Sequence, residues 1–234
     1  MRLVTVAHGT RTPAGNDVAR EITAQAGALL GLQAVCSFVE LSSPLFADVV
    51  AASSEPTVVV PLLLSAGYHI RHDLPLAVTQ APGPVVLGPS LGPSPHIAAA
   101  QVERLHSAGA SPGQPVVMVA AGSRDPLATH DLRSAVSLLA ESWGGPVRLA
   151  TLAGRGDRPS EVVRPTDAVS PYLLATGHFA NRCRAEMSLA TVVADVIGVH
   201  PRVVELVARQ AQALLGNQDQ RVPPVEPIRS LAAT

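Results

Sequence analysis

"TVVVPLLLSAGYHIRHDLP", residues 57–75, reads as two materials joined end to end. Its first part is a nearly unbroken apolar run, the mark of a strand covered on both faces at the centre of a parallel sheet. Gly67 then releases the chain from the sheet, and His69, Arg71, His72 and Asp73 follow at once. Asp73-Leu74-Pro75 predicts a helix start, with Asp73 as its N-cap and Pro75 in the first turn, where a proline gives up a donor that has no partner anyway. A buried strand ending on imidazoles and charges is what a parallel sheet produces where its carboxyl edge meets a ligand.

Working outward from that stretch, short β-branched runs alternate with Ala/Leu-rich segments of helical spacing, so the fold class is α/β. Strands are expected over 3–7, 34–39, 57–64 and 85–87, and helices over 13–30, 44–52, 73–80 and 94–107. Pro13 and Pro44 suit first-turn helix positions. A turn-rich break, "AGASPGQP" at 108–115, ends this pattern, and the pattern then starts again. "VMVAAGSRDP" from Val117 echoes "LVTVAHGTRTP" from Leu3, "PYLLATGH" from Pro171 echoes "PLLLSAGYH" from Pro61, and "VIGVHPRVVELVARQ" from Val196 echoes "SLGPSPHIAAAQVER" from Ser90. Three echoes in one order predict an internal duplication into two similar Rossmann-like domains, each a parallel four-stranded sheet flanked by helices. Residues 1–112 form the first, which carries the site. Residues 113–216 form a degenerate repeat that closes a cleft, and 217–234 lack periodicity and read as a flexible tail.

The chain has 234 residues, 47% hydrophobic and 15% charged, with a formal charge of −1. No apolar run is long enough for a bilayer span or a signal sequence, so the expected setting is the cytoplasm, away from membranes. The balance of charge gives no broad basic field, and aromatics make up only 3% of the chain, which argues against nucleic acid as a partner. Cys36 and Cys183 form no CxxC pair and read as reduced, structural thiols.

Chemistry is expected at the strand exits. The first opens into "AHGTR" with His8, Thr10 and Arg11; the second passes through "FVEL" with Glu40; the third brings His69. If the strand order begins 2-1-3, neighbouring strands about 4.8 Å apart place all three exits around one small site. Two imidazoles and a carboxylate form a donor set for Co(II), Fe(II), Ni(II) or Zn(II), and spacing does not choose among them. Taken singly, His8 also reads as a polar cap, His69 as a loop residue and Glu40 as a solvated carboxylate. His72 reads as a solvated first-turn residue or a reserve ligand. His96, His106, His130 and His200 read as surface residues. Arg11, Arg71 and Arg124 lie near strand exits, where a guanidinium can grip a carboxylate bidentately.

The stretches "VAHGTR", "FVELSSP", "VVVPLLLSAGYHIRHDLP" and "LGPSLGPSP" resemble, in order, the class II chelatases of the CbiX and SirB kind, which insert a divalent metal into sirohydrochlorin. The resemblance covers nearly the whole chain. It implies a lyase-type chelatase of cobalamin or siroheme biosynthesis, with Co(II) or Fe(II), and Ni(II) as a further candidate, as the metal substrate. His8, Glu40 and His69 fall on the family's metal site. Thr10, Arg11, Arg71 and Arg124 would bind the tetrapyrrole. In the second half an offset of 113 puts Ala121 opposite His8 and Ala153 opposite Glu40, while an offset of 110 puts His178 opposite Tyr68 and Phe179 opposite His69. One metal site, in the first half, is therefore expected, with His178 either swinging into the cleft or serving as a cap. The two-domain length implies a monomer, and neither an iron–sulfur cluster nor a nucleotide is expected. Two other readings compete. "HGTR" faintly resembles the RHG signature of histidine phosphatases, but Ala7 stands where that chemistry needs an arginine. A carrier of tetrapyrrole or metal would share the cleft without turnover.

Overall fold

A computed structural model describes residues 1–187, 190 and 192–219. The first half runs β1 (Arg2–Ala7), α1 (Pro13–Leu30), β2 (Gln33–Phe38), α2 (Phe46–Ala51), β3 (Thr57–Pro61), a π-helical turn (His69–Asp73), α3 (Leu74–Thr79), β4 (Val85–Leu87) and α4 (Pro95–Ser107). The second runs β5 (Val116–Ala120), α5 (Pro126–Trp143), β6 (Val147–Thr151), α6 (Pro159–Val162), β7 (Ala168–Tyr172), α7 (His178–Glu186), β8 (Val192–Val193) and α8 (Pro201–Asp219). All strands are parallel, in the orders β2-β1-β3-β4 and β6-β5-β7-β8. The two sheets thus repeat one crossover pattern, and each places its first strand centrally, where the chain order reverses. Among the described residues no helix is long and apolar enough to cross a membrane.

Several boundaries depart from expectation for identifiable reasons. β3 ends at Pro61, short of residue 64, because proline has no N–H for the ladder and β4 already stops opposite Val59. Leu62 still donates to the Val6 carbonyl at 2.8 Å, which holds the exit in line with β1. Pro44 is not in a helical first turn: α2 begins at Phe46, and the Pro44 carbonyl accepts the Phe38 N–H at the end of β2. The N-cap assignment of Asp73 is overturned. The chain is already helical at Tyr68, and Asp73 sits inside the helical run at φ −70°, ψ −45° with no capping hydrogen bond. Its carboxylate turns back to His69 instead. α8 continues to Asp219, so the first three residues of the expected tail, 217–219, are helical; the rest of it, 220–234, lies outside the described residues.

The last helix of each half covers the other half's sheet. α4 packs on β7 and α5, and α8 packs on α1, β3 and β4. Two glutamines record the exchange: buried Gln101 of α4 donates to Ser170 of β7 at 2.8 Å, and half-buried Gln210 of α8 donates to the Ser90 carbonyl at 3.2 Å. One apolar cluster consequently runs through both halves, from Leu3, Phe38 and Leu62 to Met118, Tyr172 and Val203. Separate clusters fill the outer faces, around Phe46 and Leu74 in the first half and Leu152 and Met187 in the second.

The same exchange buries His200, which is only 6% exposed and not a surface residue as expected. Its Nδ1 accepts the Arg202 N–H at the start of α8, and its Nε2 lies 3.2 Å from Glu103 of α4. Burial holds this imidazole below its ordinary pKa, against the opposing pull of Glu103.

Candidate metal and tetrapyrrole site

β1 and β2 stay paired beyond their ladder. Val39 donates to the Ala7 carbonyl at 2.8 Å and Glu40 to the His8 carbonyl at 3.1 Å. The approach depends on Gly9, at φ +93°, because a Cβ there would collide with the Glu40 carbonyl oxygen. His8 and Glu40 therefore leave adjacent exits side by side, with Nε2 and Oε1 3.7 Å apart and both side chains about half exposed. The third exit brings His69 against His8: the two rings lie 4.9 Å apart, centroid to centroid, at 84°. The conditional strand order is observed, and it makes the three exits neighbours.

Each imidazole is tethered through the same nitrogen. His8 Nδ1 faces the Gly9 carbonyl at 3.2 Å, and His69 Nδ1 faces the Asp73 carboxylate at 2.6 Å. Both partners can only accept, so each Nδ1 donates, and in a neutral ring this leaves the Nε2 lone pair for another partner. This is the arrangement that prepares histidine to bind a metal. Two imidazole nitrogens sharing an ion at about 2.1 Å each would stand about 3.4 Å apart, within reach of rings so placed. Among the described residues no three His, Cys, Asp or Glu side chains are yet gathered closely enough to enclose an ion.

The second half repeats the backbone without the donors. Gly122, at φ +86°, approaches the Ala153 carbonyl as Gly9 approaches that of Glu40, and Ala153 donates to the Ala121 carbonyl at 2.8 Å. Alanine methyl groups thus occupy the places of an imidazole and a carboxylate.

Between the halves lies a cleft of about 980 Å³. His8 and His69 line one wall; Gly122, Tyr172 and His178 line the other. Thr10 and Arg11 also line it. Their loop is clamped by Asn16, which accepts the Thr10 N–H at 3.0 Å and donates to its carbonyl at 2.8 Å. Arg71 turns away to Asp125 of the second half at 3.3 Å. Arg124 is exposed outside the lining, and its carbonyl accepts from Arg155. His72 is exposed and packs on the Tyr68 ring at 4.7 Å.

The residues that sequence reasoning missed tie the walls together. Tyr172 Oη donates to the Leu64 carbonyl at 2.9 Å, and Asp131 of α5 accepts the Ala66 N–H at 2.7 Å. Burial, with Asp131 nearby, pushes the Tyr172 phenol far above its ordinary range, so it acts as a donor that keeps its proton. A lone tyrosine in an apolar strand gives a weak signal of this, since its partner lies 108 positions away. The thiols take no part: burial raises Cys36, and raises Cys183 to about 11, which keeps both protonated near neutral pH.

The model of the CbiX family matches residues 2–108 and 115–214. The sirohydrochlorin ferrochelatase of Priestia megaterium is 28% identical over 91% of this chain and 91% of its own length. Among solved structures, SirB from Bacillus subtilis with Fe3+ superposes with a TM-score of 0.76 at 22% identity, covering 94% of this chain and 98% of that one. The sirohydrochlorin chelatase SirB from Bacillus subtilis subspecies spizizenii in complex with cobalt has the same TM-score and coverage at 23% identity. These structures share the fold of both halves. With the family model spanning both sheets, the chain belongs to the CbiX family.

Proposed function

We propose that this chain is a sirohydrochlorin chelatase, inserting Co(II) or Fe(II) into the tetrapyrrole. The observation that carries the reading is the meeting of three adjacent strand exits, where His8 and His69 line one wall of a cleft of about 980 Å³ and Glu40 stands behind them, its Oε1 3.7 Å from His8 Nε2. The name of the Priestia megaterium relative supports the substrate, and the two SirB complexes support iron and cobalt.

In this mechanism His8 and His69 hold the incoming ion through Nε2, and Glu40 completes the coordination. Hydrogen bonds through Nδ1 keep the two rings aimed while the ion exchanges water for ring nitrogens. Thr10, whose backbone Asn16 holds, and its neighbour Arg11 meet ring carboxylates from the cleft's lining. Arg71 and Arg124 can join them only by leaving their present settings. The second half closes the cleft within the same chain, which supports a monomer.

The test is anaerobic incubation of purified protein with excess sirohydrochlorin and Co(II), Fe(II) or Ni(II), followed by absorbance. Many product molecules per protein are expected. One equivalent of bound ring without turnover would make the protein a carrier.

A further inference from the structure

We propose that His178 is the base that takes a pyrrolic proton on the face of the macrocycle opposite the metal, an inference that rests on the chelatase reading above. His178 is the first residue of α7, exposed, and part of the cleft's C-terminal wall. Its loop abuts the loop that follows His8: a Cβ on Gly177 would come within 3.0 Å of Thr10 Oγ1. The Phe179 ring supports the imidazole edge-on at 5.4 Å.

No carboxylate and no other imidazole lines that wall among the described residues. Ala121 and Ala153 stand where the first half has its donors, so His178 has no partners with which to hold a second ion. Tyr172, the other ionisable group there, is buried and committed to the Leu64 carbonyl. Among the described residues, His178 therefore supplies the one imidazole on this wall, with a ring nitrogen that can act as a base.

The chemistry requires such a group. Insertion breaks two ring N–H bonds; each electron pair stays on nitrogen and becomes a bond to the metal, and two protons must leave. While His8 and His69 hold the ion, their Nε2 lone pairs are engaged and cannot accept protons. A metal pressing on one face tilts an N–H toward the other, where His178 receives the proton as imidazolium and passes it to solvent. The second proton leaves on the metal's face, to water or to the Glu40 oxygen that does not hold the ion.

The experiment compares wild type, His178→Gln, His178→Ala and His8→Ala in Co(II) insertion and in Co(II) binding by the apoprotein. Both His178 variants should lose about 100-fold in kcat, the range of a general base, with KM for sirohydrochlorin and Co(II) affinity unchanged. Added imidazole should restore part of the rate of His178→Ala. A kcat near wild type would overturn the proposal. So would a rise in KM alone, which makes His178 a ring contact, or a loss of Co(II) affinity matching His8→Ala, which makes it a ligand. Absence of turnover by wild type would remove the chelatase reading itself, and this inference with it.

Discussion

Removing the Asp73 carboxylate separates two roles that a sequence cannot tell apart. As a helix N-cap, Asp73 would contribute about 1 kcal/mol, and Asp73→Ala would lower Tm by about 2–4 °C in a chain of this size. Asn caps as well as Asp, so Asp73→Asn would then be silent. The structure assigns it the other role. Its Oδ2 accepts from His69 Nδ1 at 2.6 Å, holding the ring's tautomer and direction, and no backbone N–H is capped. Loss of an outer partner of a metal-binding histidine typically costs 10- to 100-fold in metal affinity or activity. Because the two side chains are 30% and 40% exposed, solvent weakens the pair, and the lower end, about tenfold or 1.4 kcal/mol, is expected for Asp73→Ala. Asp73→Asn should fall between, since an amide oxygen still accepts from Nδ1 but without charge. Isothermal titration of apoprotein with Co(II), paired with thermal unfolding, reads both quantities. A lowered Tm with Co(II) affinity intact in Asp73→Ala would refute the reasoning.

His8→Ala should weaken Co(II) binding by more than about 100-fold, beyond what outer partners give, whereas His72→Ala should stay within about twofold because its ring lies on Tyr68 at the surface; equal losses in a Co(II) titration would mean that the ligands are misassigned. Tyr172→Phe leaves the Leu64 carbonyl without its donor across the halves, and urea unfolding should show a loss of about 1–3 kcal/mol. His200 is held below its ordinary pKa of about 6.5 by burial, so the unfolded chain takes up the proton more readily and stability falls as pH drops through about 6.5 toward the folded value. His200→Asn keeps a capping acceptor and removes the titration, so its urea midpoint should fall less between about pH 7.5 and pH 5.5 than that of wild type. Glu103, also held below its ordinary value, by Arg202 first, loses its contribution only at lower pH, outside that window.

Apolar periodicity and strand-ending functional groups were enough to read the parallel α/β class, the duplication and the three exits that carry His8, Glu40 and His69. Such features are local: a run covered on both faces, a glycine that ends it and a donor just beyond are all written within a few residues. The 113-residue offset that opposes Ala121 to His8 was likewise legible, because Gly9 and Gly122 each meet a carbonyl that excludes a Cβ. Partnership across the chain was not legible. Periodicity says that one face of α4 or α8 is buried, but not that each lies on the other half's sheet. For the same reason the sequence could not show that His200 is buried against Glu103 or that Arg71 turns to Asp125. Asp73 was misread for a different reason: Asp before Leu-Pro has the form of a cap, and only the π-helical turn carries the helix back to Tyr68 and puts the carboxylate beneath His69. Side-chain type and spacing determine what a residue can do, while packing between distant segments decides which neighbour it does it with.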